Sequence, residues 1–362
     1  MPLRISILGT RGIPASYGGF ETFAEELSRR LVARGHEVTV YCRNRHTGEK
    51  YLGVQLQYLP TIRHKYTDTI VHTGISTLHL LFSGADVALY CNAANAIFTW
   101  MPRLFATPTL LNVDGLERKR RKWNMLAKGW YGISEWMSTW MPSKAVSDAR
   151  TISRYYRSRY RAETAYIPYG APTGKVTTTA VLNKLGLKPG EYFLYVTRFE
   201  PENNPLLVRE AFETLDTDKK LVLVGDAPYA HEYIRKVRNT TNPRVVLPGA
   251  IYGDGYHELQ SHCLAYVHAT EVGGTHPALI EAMGRGCVVL YLRTPENEEV
   301  AGGVAVPFHH GDLADRMRAV LAMPEEDREA ISDAAMKRVA SRYNWDAVTD
   351  AYERLFLELI EQ

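Results

Sequence analysis

Short apolar runs and helical stripes alternate along almost the whole chain. Leu3–Leu8 has the apolar density of a buried parallel strand, and Phe20, Phe23, Ala24, Leu27 and Leu31 then recur at helical spacing. Gly35 ends that helix, and Val38–Cys42 is the next strand run. Further strands are predicted at Val54–Leu59, Asp86–Tyr90, Thr109–Val113, Lys144–Ser147 and Thr164–Ile167. The stretch Pro168–Gly190, with three prolines and four glycines, breaks the pattern and predicts a linker and loop with a short helix in its second half. A second series follows, with strands at Tyr192–Val196, Lys220–Val224, Arg244–Leu247, Ala265–His268 and Val288–Tyr291. Its helices are expected near Pro205–Leu215, His231–Arg238, Gly255–His262 and Pro277–Gly284. The tail after Gly311 reads as helix. Such alternation predicts α/β architecture with doubly wound parallel sheets, divided into residues 1–169 and 170–344.

Composition fits this picture. The 362 residues are 45% hydrophobic and 23% charged, as in a soluble globular protein of two domains. The start MPLRISILG lacks a signal-peptide pattern, and no apolar run reaches the roughly 20 residues needed to span a bilayer. Cys42, Cys91, Cys263 and Cys287 sit in or beside apolar runs without metal-ligand spacing, as small hydrophobes in a reducing compartment do. A cytoplasmic protein is expected. The net charge of +3 gives no sign of a nucleic-acid partner. Asp114–Arg161, however, holds twelve basic and four acidic residues, a balance of +8 that leaves about −5 elsewhere. Such a segment attracts phosphates or an anionic membrane surface.

The candidate chemistry lies in the turns. In TEVGGTHPALIEAMGRG, Thr270–Gly286, two glycines free the backbone and Pro277 stands where a helix begins. A helix start offers unpaired N–H groups and a positive dipole end to a phosphate, and Glu281 one turn in can accept from a ligand hydroxyl. His276 belongs to the same helix start, with Thr275 the better capping residue by type. GTRGIPASYGGFE, Gly9–Glu21, joins the first strand to the first helix without G-x-G-x-x-G spacing, which argues against a dinucleotide site. Its Gly18–Gly19 pair suits close approach of a substrate. Asp114 in NVDGLERKRRKW ends a strand, and the cations Arg118, Lys119, Arg120, Arg121 and Lys122 follow it, then Trp123. Trp123, Trp130 and Met137 fall seven apart, a stripe that is either core or an interfacial membrane contact. Arg198 in TRFEPENNP can grip a diphosphate bidentately. Gly225 in LVGDAP and Tyr252 in PGAIYG lie in turns that can cup and stack a base.

YGGFE, IPYGAP, TRFEPENN, GGTHPALIEAMGRG and the final YNWDAVTDAYERLF together resemble the retaining GT-B glycosyltransferases of family 4, over essentially the full length. GTRGIPASYGGFETFAEEL with NVDGLERKRRKW is most similar to the bacterial rhamnosyltransferase branch of surface-polysaccharide assembly. The resemblance implies two Rossmann-like domains facing a central cleft, the second binding the nucleotide-sugar, and a terminal helix, 345–362, that packs back on the first. It implies that Gly18 and Gly19 line the donor phosphate or acceptor side, that Tyr17 and Asp114 face the acceptor, and that Arg198 and Asn203 stand at the donor diphosphate. Glu281 would bind the ribose, and Gly274 and Thr275 would bring backbone N–H groups to the leaving phosphate. Two departures stand out. The family's first Glu would fall at Gly273, with Glu271 the nearest acid, and the family often has Lys where Asn203 stands.

The implied activity is metal- and cofactor-free transfer of a sugar from a nucleotide diphosphate. L-rhamnose from dTDP-L-rhamnose is favoured and a UDP- or GDP-sugar is the alternative. The acceptor is a saccharide or a lipid-diphosphate-linked saccharide, reached through peripheral contact at the inner face of the plasma membrane. A reading of another class is a non-catalytic nucleotide- or saccharide-binding protein on the same fold.

Overall fold

A computed structural model describes residues 2–15, 18–64, 67–227 and 230–361. The chain divides into two compact units. One runs to Tyr169 and takes back the chain from Trp345, and the other is Gly170–Asn344.

The first unit is built on an eight-stranded sheet. Its strands are β1 (Arg4–Leu8), β2 (Glu37–Cys42), β3 (Lys50–Tyr51), β4 (Val54–Tyr58), β5 (Val87–Cys91), β6 (Thr109–Asn112), β7 (Lys144–Ser147) and β8 (Ala165–Tyr166). Their spatial order is β3-β4-β2-β1-β5-β6-β7-β8. All pairs are parallel except β3 with β4. Ile5 of β1 lies in register with Val38 on one side and Val87 on the other. Central strands such as β5 are buried at every position, as expected where helices cover both faces of a parallel sheet.

The second unit carries β9 (Tyr192–Val196), β10 (Lys220–Val224), β11 (Val245–Gly249), β12 (Ala265–His268), β13 (Val289–Leu292) and β14 (Val306–Phe308). Their order is β11-β10-β9-β12-β13-β14, and every pair is parallel. In each sheet the order reverses beside the first strand, between β1 and β5 and between β9 and β12. Ligands of open parallel sheets bind outside the carboxyl ends of strands at such points.

Two strands escape the hydrophobic pattern. β3 is two residues at an edge, joined to β4 by Leu52 and Gly53, both with positive φ, the geometry of a tight primed hairpin turn without its usual Asn-Gly signal. β14 is three residues with Pro307 inside, which an edge strand tolerates. The short helix expected in the interrupting stretch is Ala180–Leu185.

The helix Trp345–Ile360 packs in the first unit against Gly19–Ala33. Tyr352 and Phe356 are fully buried on its inner face, and the Tyr352 ring lies 5.4 Å from Phe23. The Tyr352 hydroxyl accepts a 3.0 Å hydrogen bond from the Asn112 side-chain amide at the end of β6. Tyr352→Phe strands a buried donor and is expected to cost about 1–3 kcal/mol in urea unfolding. An unchanged unfolding midpoint would show that the amide does not need this partner.

Candidate active site

The carboxyl edge of the first sheet is shaped by residues in left-handed conformations. Gly9, Asn92 and Asp114, at the ends of β1, β5 and β6, have φ of 88°, 76° and 57°. A side chain on Gly9 would meet the Cys91 carbonyl at 2.3 Å, so the loop after β1 needs glycine there. Two acids of the first helix hold this loop from below. Glu21 accepts from the Arg11 N–H at 2.9 Å and Glu25 from the Ala15 N–H at 2.7 Å. Burial pushes the Glu25 carboxyl upward.

Gly18 caps that helix in extended backbone, and a Cβ there would meet only Glu21 at an ordinary 3.5 Å. The fold itself therefore does not demand glycine at 18. Gly19 is the first helical residue. Tyr17 lies outside the described residues.

Asp114 is half-buried, and its N–H donates to the Asn112 side-chain oxygen at 3.0 Å. Asn112 thus ties β6, Asp114 and the terminal helix together. Burial first, then the charges of Asp114 and Asp148, push the Tyr169 hydroxyl well above its ordinary range, which marks this edge as acidic.

The basic run after Asp114 is not a uniform charged face. Arg118 donates to both oxygens of buried Glu135, at 3.1 and 3.0 Å, and to the Tyr155 hydroxyl. Arg120 is buried and bonded to Glu117, which also accepts from the Trp123 indole at 3.1 Å. Lys122 stacks over Trp123 at 5.1 Å, and Lys119 and Arg121 face solvent. The stripe of Trp123, Trp130 and Met137 is mostly core. Trp123 precedes the helix Met125–Met137, Met137 is buried, and Trp130 packs partly buried against the core. The helix turns Leu126, Ile133 and Trp136 to solvent instead. A seven-residue spacing drifts only about 20° around a helix, so it finds a stripe but not which side is wet.

In the second unit the loops after β9 and β12 meet. Arg198 follows β9, half-buried, 3.9 Å from Glu200. Buried Asn203 donates to the Arg198 carbonyl at 2.8 Å, and its own carbonyl accepts from the Tyr195 hydroxyl. Its side chain therefore positions the Arg198 loop. Asn204 bonds across to the Ala269 carbonyl at 2.9 Å and to Glu271 at 3.0 Å, and the Glu271 N–H donates to the Glu202 carbonyl. Gly225, after β10, sits so close to this loop that a Cβ would lie 1.8 Å from the Thr197 carbonyl. Its part is close backbone approach.

Glu271 is held from both sides, by Asn204 and by His310 at 3.0 Å. Gly273, Gly274 and Thr275 are buried and lead into helix Pro277–Gly284. The helix is capped at His276, not Thr275, and without a side-chain hydrogen bond to its first turn. Glu281 is buried on this helix and accepts from the Tyr256 hydroxyl at 2.6 Å. Tyr252 stands exposed at the start of helix Gly253–His262. Arg198, Asn203, Gly225, Glu271 and Gly273–Thr275 thus share the crevice at β9 and β12, while Glu281 looks toward Tyr256.

Sequence reasoning missed the groups behind the loop. Asn297 donates to the carbonyls of Thr270 and Leu292, which turns its side-chain oxygen to His276 Nδ1 at 2.7 Å. That nitrogen therefore carries hydrogen. It also lies 3.1 Å from His268 Nε2, and burial, aided by His276, holds His268 well below its ordinary pKa. The ring of His276 fills the space beside Gly273, where a Cβ would stand 2.1 Å from Nε2. No spacing in the sequence links residues 268, 276 and 297. Asn92, Asn112 and Tyr256 were equally silent, although Asn112 opens a quoted motif. Among the described residues no group of three or more His, Cys, Asp or Glu stands where it could hold a metal ion.

Gly273 and His276 are expected to be energetically coupled. Gly273→Ala should destabilise by about 1–3 kcal/mol through overpacking. Most of that loss should vanish in a His276→Ala background, read by urea unfolding of the four proteins. Additive losses would show that the ring does not occupy the space.

Comparison with known proteins supplies the family. Residues 17–167 match the model for Glycosyltransferase Family 4, and residues 179–338 match that for Glycosyl transferases group 1. The lipopolysaccharide 1,2-N-acetylglucosaminetransferase of Salmonella typhimurium is 27% identical over 179 residues, covering 44% of this chain and only 46% of that enzyme. Sucrose-phosphate synthase of Thermosynechococcus elongatus has TM-score 0.82 at 18% identity, covering 99% of both chains. HepE of Anabaena, solved with UDP and glucose, has TM-score 0.78 at 13% identity, covering 98% of this chain and 99% of its own. The chain is a glycosyltransferase of GT-B fold, composed of a family 4 domain followed by a glycosyl transferases group 1 domain.

Proposed function

We propose that the enzyme moves a sugar from a nucleotide diphosphate to a hydroxyl of a saccharide or lipid-diphosphate-linked saccharide, with retention, in bacterial surface-polysaccharide synthesis. The observation that carries this reading is the junction, through Asn204, of the Arg198 loop with Ala269 and Glu271, the stretch that leads into Gly273–Thr275 at the crevice beside β9. A diphosphate seated there takes bidentate hydrogen bonds from Arg198 and N–H groups from the start of helix Pro277–Gly284. Glu281, beside Tyr256, accepts from the ribose, and Tyr252 stacks on the base. Asp114 and the exposed Lys119 and Arg121 belong to the acceptor side.

The reaction follows from those roles. The acceptor oxygen attacks the anomeric carbon on the face from which the diphosphate departs. The bond between that carbon and the phosphate oxygen breaks, and a departing phosphate oxygen takes the acceptor's proton. Positioning and stabilisation of the leaving charge supply the acceleration. The reading uses no metal or other cofactor, since a guanidinium and helix N–H groups carry the charge.

The branch resemblance favours dTDP-L-rhamnose. The neighbour solved with UDP and glucose supports a UDP-sugar as the second reading. A lipid-linked acceptor puts the enzyme at a membrane surface. The reading makes that contact peripheral; among the described residues no helix is long and apolar enough to cross a membrane.

Arg198→Ala is expected to lower kcat by about 10²–10³-fold with any accepted donor, the scale of losing one preorganised leaving-group donor. Unchanged turnover would remove the diphosphate assignment. In a thermal-shift panel at equal concentrations dTDP-L-rhamnose should raise the melting temperature more than UDP-glucose or GDP-mannose, because stabilisation by a ligand of the native state grows with the logarithm of its affinity. A larger shift with UDP-glucose would move the donor to the second reading.

A further inference from the structure

The helix Met125–Met137 contains two glycines that nothing in the fold requires. Neither Gly129 nor Gly132 has a positive φ, and a Cβ on either would have no atom within 4 Å. Glycine in a helix interior costs about 1 kcal/mol relative to alanine. Two of them one turn apart leave a bare stretch of backbone, and it forms the floor of a groove of about 460 Å³.

The walls of the groove are cationic and aromatic. Arg118, Lys128 and Arg159 line it together with Trp136 and Tyr160. Arg118 is fixed by Glu135, itself the acceptor of hydrogen bonds from Tyr155 at 2.8 Å and Tyr160 at 3.1 Å. That buried carboxylate cancels Arg118. Lys128 and Arg159 are exposed and form no ion pair among the described residues. The groove therefore carries about two uncompensated positive charges.

An apolar ridge runs along the same helix. Leu126, Ile133 and Trp136 follow one another at helical spacing, Trp140 continues the line beyond the helix, and all are exposed, Leu126 by 85%. Trp136 and Trp140 lie edge to face at 5.1 Å. Arg103 donates to the Trp140 and Met141 carbonyls at 3.3 and 2.6 Å, which brings exposed Leu104 and Phe105 to the end of the ridge.

We propose that this groove seats the phosphate headgroup of an anionic membrane lipid, with the ridge lying in the bilayer interface. Cations beside a bare backbone fit a phosphate, and the exposed tryptophans and aliphatics fit the boundary of headgroups and acyl chains. A soluble anion would leave the ridge without a partner. The inference deepens the membrane part of the proposed function and is independent of the donor and of the reaction.

Flotation of the full chain tests it, with vesicles of phosphatidylcholine alone and of an equal mixture with phosphatidylglycerol, at low salt. The protein should float with the mixture and not with phosphatidylcholine alone. The double variant Lys128→Glu with Arg159→Glu should bind the mixture at least about tenfold more weakly, at roughly 1 kcal/mol for each cation lost. Gly132→Leu separates a seated headgroup from simple partitioning. It adds apolar surface and helix propensity while filling the groove, so the proposal expects weaker binding. Equal flotation on both vesicles, no loss on charge reversal, or tighter binding by Gly132→Leu would each overturn it. Circular dichroism confirms that each variant is folded. Arg198→Ala, altered only in the second unit, should float like the parent protein, so the lipid and donor proposals fail separately.

Discussion

The reversal of strand order beside β9 is the constraint on which the chemistry of the second unit depends. β9 pairs with β10 on one side and β12 on the other. Parallel crossovers keep one hand, so chains leaving β9 and β12 turn toward opposite faces and their loops part at the carboxyl edge. The parting exposes backbone groups that must find partners. Asn204 supplies them by bonding the Ala269 carbonyl and Glu271, and the Tyr195 hydroxyl joins the Asn203 carbonyl to Thr270, 3.2 Å away. Gly225 lets the next strand end press against the Thr197 carbonyl. Arg198 is thus carried by a loop that its neighbours have fixed.

The first unit meets the same topological demand differently. Its strand ends turn through left-handed residues, Gly9, Asn92 and Asp114, and side-chain amides take up the backbone groups. Asn112 does this while reaching Tyr352, so the position of Asp114 and the docking of the terminal helix share one side chain. A change in the packing of that helix reaches the strand end through two hydrogen bonds.

Most of the architecture was legible because periodicity is a local property. β7, β9, β10 and β12 begin and end where their apolar runs do, and helix Pro277–Gly284 starts at the proline that suits its first position. The failures are of another kind. β3 and β14 are too short to show a period. The stripe of Trp123, Trp130 and Met137 left core and interface both open because Trp is apolar and polar at once, and only packing decided that Trp130 leans on the core while Trp136 does not. Resemblance alone places Asn203 at the diphosphate, and the local pattern gives no sign that its amide donates to the Arg198 carbonyl. The His268–His276–Asn297 set joins three separate elements, and nothing local announces it.

The two departures from the family pattern fall on the two loops that meet beside β9. Where the family's first carboxylate would stand, this chain has Gly273, and the imidazole of His276 occupies the space. Where a lysine is usual, it has Asn203. The acid is displaced rather than lost, since Glu271 stands in the same crevice, held by Asn204 and His310. At position 273 an acceptor-only carboxylate is replaced by a ring whose Nδ1–H is committed to Asn297, so that nitrogen finds its partner within the chain.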